Sequence, residues 1–214
     1  MTKICCFFLF VLIPNACLSG VTVVGTHFFI DSATRSLNIK VVNDNESDYL
    51  VKTTVDGDGI IILPPLFVLP KNRSNIITLI PDDKIKIYKD AVYSLTITTI
   101  PKAELNKDSS LVSLAVRSHF KLLYLHKRPS DDDVKKMKLI RSSTGEWFLT
   151  NPTLFAFTLS LTKDNSSVPD KIQVIPPHQQ ISVSKYCDIK SCSLWINVFN
   201  EDRSVVNKIN LVFN

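Results

Sequence analysis

The chain contains four histidines, the side chains most often used for acid–base chemistry near neutral pH. None of them, His27, His119, His126 or His178, belongs to an HExxH metal motif or lies near a GxSxG nucleophile turn. His119 alternates with apolar neighbours along a predicted strand, which favours a surface or edge position over a catalytic one. We therefore predict no catalytic residues, no enzymatic activity and no cofactor.

The cysteines divide into two groups along the chain. Cys5, Cys6 and Cys17 lie in an apolar leading segment, and Cys187 and Cys192 stand close together near the other end. In an exported protein such a lone pair predicts a disulfide bond, which would pin a hairpin or strand end locally because its loop is small. Two free thiols are the alternative, and a zinc site would need two further ligands that the neighbouring sequence does not supply.

Three consecutive carboxylates, Asp131, Asp132 and Asp133, could suggest calcium. They lack the alternating ligand spacing and the glycine of a calcium-binding loop. We interpret them as part of a solvated linker and predict no metal site.

The leading segment, residues 1–20, has the organisation of a secretory signal peptide. Lys3 precedes an apolar run from Ile4 to Ile13, and small or polar residues follow from Asn15 to Gly20. Cleavage is expected after Ser19 or Gly20. A lipidated Cys17 is the alternative, but Pro14 stands where a lipobox normally has an aliphatic residue. We predict export without membrane insertion, because no later apolar run approaches the length of a transmembrane helix.

The remaining chain, roughly 194 residues, is long enough for two domains of about 100 residues each. Loss of Lys3 with the signal lowers the Lys and Arg count from 25 to 24, against 20 acidic residues, a net charge of about +4. The charges are scattered singly, without the basic stripe of a nucleic-acid surface, so we predict no nucleic-acid partner.

Short runs with period-two alternation recur between turns rich in Asn, Asp and Pro, and predict an all-β fold. The composition changes at Lys127–Asp133, so we predict an immunoglobulin-like sandwich over residues 21–129 and a second over 130–214. The first-half strands are predicted at Val21–Ile30, Ser36–Asn43, Tyr49–Val55, Phe67–Leu69, Asn75–Ile80, Ala91–Ile100 and Leu111–Leu125. The second-half strands are predicted at Trp147–Leu149, Leu154–Leu161, Lys171–Val174, Gln180–Val183, Leu194–Asn200 and Asn207–Phe213.

The stretch from Leu111 to Pro129 contains the longest alternating strand. Val112, Leu114 and Val116 fall on one face, and Phe120 shares their parity. Such a strand suits β-augmentation, in which main-chain hydrogen bonds supply affinity and alternate apolar side chains enter the pockets of a partner. An ordinary strand that packs this face into its own core is the alternative.

Several segments, in shared order, resemble the periplasmic pilus-assembly chaperones, the PapD-like family. The first is VTVVGTHFF, at the place of the family's first strand. DGDGIIILPPLFVL is similar to the family's DG…PPLFRL segment, YSLTITTIP to its FYLNIxxIPP strand, and FKLLY with a following RP to its IKLFYRP ending. In the second half LTNPTLFAF resembles NPTPYYV, and the cysteine pair stands where some members have a disulfide.

The resemblance implies a boomerang of two sandwiches whose cleft binds the carboxyl terminus of a pilus or fimbrial subunit. An edge strand of the first sandwich would complete the subunit's open fold until the subunit passes to an outer-membrane usher. By motif position Lys121 corresponds to the cleft lysine, and Val112, Leu114 and Val116 correspond to the donor face.

Two departures from the family pattern affect these expectations. His27 stands where the family's first strand normally carries an arginine that clamps the subunit carboxylate with the lysine. With an ordinary pKa near 6.5 it would help Lys121 only when protonated, and binding would strengthen as the pH falls. Alternatively, His27 merely packs in its strand. The interval from Pro101 to Lys121 indicates the short-loop subclass, whose clients are usually thick rod-like pili.

A rival interpretation is an exported two-domain adhesin or pilus structural subunit with the same architecture. A subunit would begin with an alternating donor extension ahead of an incomplete sandwich, whereas this chain has seven predicted strands before the linker. An exported hydrolase would need a nucleophile and base arrangement that the sequence does not display.

Overall fold

Alternating apolar and polar residues form the strands of the first half. In β3 (Leu37–Asn43), Ile39 and Val41 are buried while Asn38 and Lys40 are exposed, as the period of two requires. The computed structural model describes residues 20–31, 33–82, 89–102, 114–165 and 171–213. The predicted signal peptide, apart from Gly20, lies outside the described residues.

The strands of the first half form two sheets. The four-stranded sheet has the order β1-β3-β7-β5 and the five-stranded sheet the order β2-β9-β8-β4-β6. The strands besides β3 are β1 (Val21–Val23), β2 (His27–Asp31), β4 (Tyr49–Val55), β5 (Ile60–Leu63), β6 (Leu66–Leu69), β7 (Arg73–Pro81), β8 (Ala91–Pro101) and β9 (Val116–Leu125). Fully buried side chains of both sheets, among them Ile39, Ile77, Leu95 and Leu122, form one hydrophobic core.

Two strand boundaries differ from the sequence prediction. The single strand predicted over Val21–Ile30 is two strands in different sheets, because the chain bends at Gly25, whose φ of 109° is accessible to glycine at little cost. A β-carbon at Gly25 would lie 3.0 Å from the ring of Phe28. The strand Ile60–Leu63 was not predicted, because four consecutive apolar residues show no alternation.

The second half builds its own core. Its two sheets have the orders β10-β11-β14 and β13-β12-β15-β16, and their inner faces bury Trp147, Phe157 and Leu194. The strands are β10 (Lys138–Arg141), β11 (Trp147–Thr150), β12 (Phe157–Thr162), β13 (Gln173–Ile175), β14 (Gln180–Ser182), β15 (Cys192–Phe199) and β16 (Val205–Phe213). The predicted all-β fold of two immunoglobulin-like sandwiches is therefore confirmed, while the boundary between residues 129 and 130 stays a prediction.

The segment interpreted as a solvated link contains regular structure. A short helix, α1 (Asp131–Lys135), begins at Ser130, whose hydroxyl accepts from the backbone N–H of Asp133 at 3.3 Å. The Asp133 carboxylate accepts in return from Ser130 N–H and lies 2.7 Å from Lys136 Nζ. The hydrogen bond from Lys136, followed by those from Ser130, lowers the pKa of Asp133. Asp133 thus serves as a helix-capping residue.

Asp90 joins the two sandwiches through backbone hydrogen bonds. One carboxylate oxygen accepts from His126 N–H at 2.7 Å, and the other accepts from Ala156 N–H at 2.8 Å. The N–H of Asp90 donates to the carbonyl of Leu154 at 2.9 Å. Burial raises the pKa of Asp90 from its ordinary value, and the two accepted hydrogen bonds oppose that shift. This buried carboxylate positions the start of β8 against the second sandwich.

The cysteine pair forms a disulfide between Cys187, after a 3₁₀ turn (Ser184–Tyr186), and Cys192, the first residue of β15. Within the closed loop, the carbonyl of Asp188 accepts a hydrogen bond from the indole N–H of Trp147 at 2.8 Å. The bond therefore holds a strand end and a loop against the core, as the sequence predicts.

Replacing both cysteines, Cys187→Ser with Cys192→Ser, should lower the free energy of unfolding of the second sandwich by about 2 kcal/mol, the chain-entropy value for a loop this short. Chemical denaturation followed by tryptophan fluorescence measures the loss, because Trp147 and Trp195 both belong to the second sandwich. Alkylation of the wild-type chain without reductant, followed by mass spectrometry, is the control. Two labelled thiols in the mature chain would contradict the disulfide.

Candidate functional site

The two side chains singled out as carboxylate ligands are neighbours in the five-stranded sheet. Strands β2 and β9 are parallel, and His27 is the register partner of Lys121. Phe28, Ile30 and Leu122 on the same two strands face the core, so the alternation leaves Lys121 exposed and His27 half-buried. Neighbouring strands lie about 4.8 Å apart, which brings both side chains to one place on the surface.

A third polar side chain reaches this place from the second sandwich. Nη2 of Arg203 donates to Oγ1 of Thr26 at 2.6 Å and also bonds to Nδ1 of His27. Arg203 lies in the turn between β15 and β16, where its φ of 61° is in the left-handed region. The turn is closed by a hydrogen bond of 3.1 Å from the N–H of Arg203 to the carbonyl of Asn200.

The contact with Arg203 determines the protonation of His27. A nitrogen that accepts from a guanidinium carries no hydrogen, which assigns the neutral tautomer with its hydrogen on Nε2. Burial, and secondly the charge of Arg203, lower the pKa of His27 below 6.5. The sequence prediction assumed an ordinary pKa for His27. In the structure the pKa is lower, so His27 gains its charge at a more acidic pH.

The site has an excess of positive charge. Neither Lys121 nor Arg203 takes part in an ion pair among the described residues. A guanidinium that contacts a neutral imidazole, with an ammonium on the register partner of that histidine, suits a carboxylate, which can accept charge-assisted hydrogen bonds from all three. In the described part of the chain no cluster of His, Cys, Asp and Glu side chains could hold a metal ion.

Strand β9 is paired differently along its two halves. Residues 116–120 pair with β8 on one side, from Val116 with Thr99 to Phe120 with Leu95. On the other side β2 pairs only with Lys121–Leu125, and no described strand covers the edge before Lys121. The first half of β9 therefore has an edge with unpaired backbone groups.

The predicted donor face lies along this open edge. Leu114 is 73% exposed and Val116 is 54% exposed, whereas Leu122, of the same parity, is fully buried. Phe120 lies between these extremes and packs edge-on against Phe28, with 5.5 Å between ring centroids. The same face thus leaves its own core in the direction of Leu114. Val112, and most of the loop that indicates the short-loop subclass, lie outside the described residues.

Sequence reasoning brought together Lys121 and His27 but missed Arg203. The two residues that Arg203 contacts lie more than 170 positions away in the chain. Arg203 stands in an ordinary polar turn, and no local pattern distinguishes it from the other scattered basic residues.

The fold and this site together define a two-sandwich binding protein with an open strand edge beside a cationic site. A family model described as pili and flagellar-assembly chaperone, PapD N-terminal domain, matches residues 20–131. The chain belongs to this chaperone family.

Individual relatives agree with the family. The probable fimbrial chaperone LpfB of Escherichia coli O157:H7 is 24% identical over 211 residues, with 89% of this chain and 87% of that protein covered. The chaperone protein LpfB of Salmonella typhimurium is 23% identical over 186 residues, with 79% and 78% covered. The solved structure of the Salmonella enterica SafA pilin with the SafB chaperone matches with a TM-score of 0.69 and 16% identity, and covers 91% of this chain and 96% of the matched chain.

The imidazole of His27 should titrate below pH 6.5 in the folded chain, and Arg203→Ala should raise its pKa without restoring the ordinary value, because burial is the larger cause. NMR titration of the ring protons measures both values, with His27→Gln to assign the signals. The unfolded chain binds this proton first as the pH falls below 6.5, so the free energy of unfolding should decrease there, less so in His27→Gln. A His27 pKa above 6.5 would contradict the site geometry.

Proposed function

We propose that this protein is a periplasmic chaperone that holds pilus or fimbrial subunits by lending them strand β9. The observation that carries the proposal is the open edge of β9 at residues 116–120, with the exposed apolar side chains of Leu114 and Val116 on one face at its start. Membership of the chaperone family supports this function, as do the names of the fimbrial chaperone relatives and the pilin complex of SafB.

The backbone of the open edge supplies the first part of the binding energy. A strand whose edge is unpaired can form a ladder of N–H···O=C bonds with an extended segment of a partner. β8 already holds the other edge of the same residues in place. The donor strand is therefore ordered before the client arrives, which lowers the entropic cost of binding.

The apolar side chains supply the second part. Leu114 and Val116 are mostly exposed in the free chain, and burial of such a side chain in a partner's pocket contributes on the order of 1–2 kcal/mol when most of its surface is covered. A subunit that lacks one strand of its sandwich has a matching apolar groove and unpaired edges. Val112, by its parity, would extend the same face.

The third part is electrostatic. Lys121 follows directly after the open edge, and His27 lies beside it in register. A peptide that extends along residues 116–120 in the direction of β9 would end at these two side chains. The free carboxylate of its last residue could accept from the Lys121 ammonium and from Nε2–H of His27.

Export through the predicted signal peptide places the protein in the periplasm, where a disulfide can form and persist. Delivery of the subunit to an outer-membrane usher follows from the family resemblance. The rival function, an adhesin or pilus structural subunit, calls for an incomplete sandwich that accepts a strand. The described strands of the first half instead form sheets of four and five strands, which supports the chaperone.

Co-expression of the full chain with a pilus subunit encoded beside its gene tests the function directly. A soluble one-to-one complex in the periplasmic fraction, absent when either partner is omitted, is the expected result. A subunit that aggregates equally with and without the chain would overturn the proposal.

Leu114→Arg should weaken subunit holding by at least about tenfold and leave the thermal unfolding of the free chain unchanged. An arginine stays solvated on the exposed edge but cannot enter an apolar pocket without losing its hydration. Ile76→Arg is the matched control, because Ile76 is also exposed and apolar but lies in the four-stranded sheet. Unfolding of free Leu114→Arg would show that this side chain belongs to the chaperone's own core.

A further inference from the structure

We propose that Arg203, supplied by the second sandwich, provides the guanidinium of the carboxylate site, so that both sandwiches bind the carboxyl terminus of a client. The inference rests on the proposed function and adds a residue that the sequence pattern does not indicate. It follows from the position of Arg203, from its charge and from the chemistry of its neighbours.

Arg203 contacts Thr26 and His27 at the beginning of β2, and His27 is the register partner of Lys121. The guanidinium therefore lies at the beginning of β2, although it arrives from the second sandwich. His27 accepts from Arg203 at Nδ1 and orients the guanidinium beside the end of the open edge.

The charge of Arg203 is not neutralised within the described structure. Its hydrogen-bond partners, the hydroxyl of Thr26 and the neutral imidazole of His27, carry no negative charge. The ion pairs among described residues involve Lys71, Lys102, Lys135 and Lys136 instead. Lys121, the register partner of His27, brings a second positive charge to this end of β2, and a carboxylate there could accept from both cations.

The geometry of the donors specifies the ligand. A guanidinium presents a planar fork that matches the two oxygens of a carboxylate, while an ammonium contributes a single-point charge. A segment paired with residues 116–120 and running parallel to β9 would meet the beginning of β2, which takes over the pairing at Lys121. β2 occupies the same edge of β9 from Lys121 onward, so a segment bound along that edge must end before it reaches His27. The ligand is therefore the free carboxyl terminus of an extended peptide.

The origin of Arg203 has a consequence for capture. The turn between β15 and β16 belongs to the second sandwich. Asp90 joins that sandwich to the start of β8 through its hydrogen bonds with Leu154 and Ala156. The carboxylate site is complete only when the sandwiches are docked as described. Binding of a client terminus should therefore stabilise this docking, and loss of the docking should weaken binding of the client.

The test compares two forms of one probe, a short N-acetylated peptide in which valine alternates with threonine. The peptide is made with a free carboxyl terminus and as the carboxamide, and both are titrated by calorimetry into the mature chain. The wild type should prefer the carboxylate by about tenfold to a hundredfold, the contribution expected of charge-assisted hydrogen bonds. Arg203→Ala should lose most of this preference, as should Lys121→Ala, and neither should change affinity for the carboxamide.

Two variants make the result specific to the guanidinium. Arg35→Ala removes an exposed arginine elsewhere on the first sandwich and should bind as the wild type does. His27→Arg in the Arg203→Ala background should restore the preference for the carboxylate, because it returns a guanidinium to the beginning of β2. Thermal unfolding of each variant confirms that it is folded.

The outcomes separate this inference from the proposed function. Arg203→Ala with an unchanged preference for the carboxylate would overturn the inference, while a co-purified subunit would leave the chaperone function standing. Equal loss for carboxylate and carboxamide would assign Arg203 a role in docking the sandwiches and would also overturn it. Failure of the wild type to form a subunit complex would overturn both.

Discussion

Among the described strands, partners cover both edges of β9 along only half of its length, and the remaining structure is arranged around this constraint. β8 covers one edge throughout, but β2 covers the other edge only from Lys121 onward. Unpaired backbone groups and exposed apolar side chains on an ordered strand are normally an aggregation hazard. Here the unpaired edge covers residues 116–120, the exposed side chains of Leu114 and Val116 lie at its start, and a cationic site follows directly after it. One segment thus combines the hydrogen-bonding, apolar and electrostatic components of recognition.

The length of β2 follows from a backbone feature. Gly25 lets the chain leave the four-stranded sheet and enter the five-stranded one, so β2 begins at His27 and no earlier. If the first strand continued through one sheet, as its apolar pattern suggests, β2 would not begin beside Lys121. A glycine with positive φ therefore determines where the open edge ends and where the charges gather.

The second sandwich contributes more than a separate core. Asp90 is buried and accepts backbone hydrogen bonds from His126 and Ala156, while Arg203 reaches back to the beginning of β2. These contacts lie at two different places on the first sandwich. The hydrogen bonds that Asp90 forms with Leu154 and Ala156 exist only when the sandwiches are docked, so they favour the docked arrangement. The site depends on this docking, because one of its cations comes from each sandwich.

The sequence by itself determined the features that depend on local pattern. Alternation predicted the all-β fold and most strands, a lone cysteine pair in an exported chain predicted the disulfide, and parity predicted that Leu114 and Val116 share a face. It also paired His27 with Lys121 through a family resemblance, although it assigned His27 an ordinary pKa. Ile60–Leu63 and Lys138–Arg141 were missed, since neither short run stands out by alternation.

The tertiary structure decided which side chains are buried and which distant residues meet, because local sequence pattern contains neither. Parity is identical for Leu114 and Leu122, yet one is exposed and the other buried, because only the sheet order shows where the core ends. The lowered pKa of His27 and the presence of Arg203 beside it arise from a contact between residues 176 positions apart. Such a contact exists only where the two sandwiches meet. Its physical cause is the arrangement of the domains, and no periodicity or spacing in the chain encodes it.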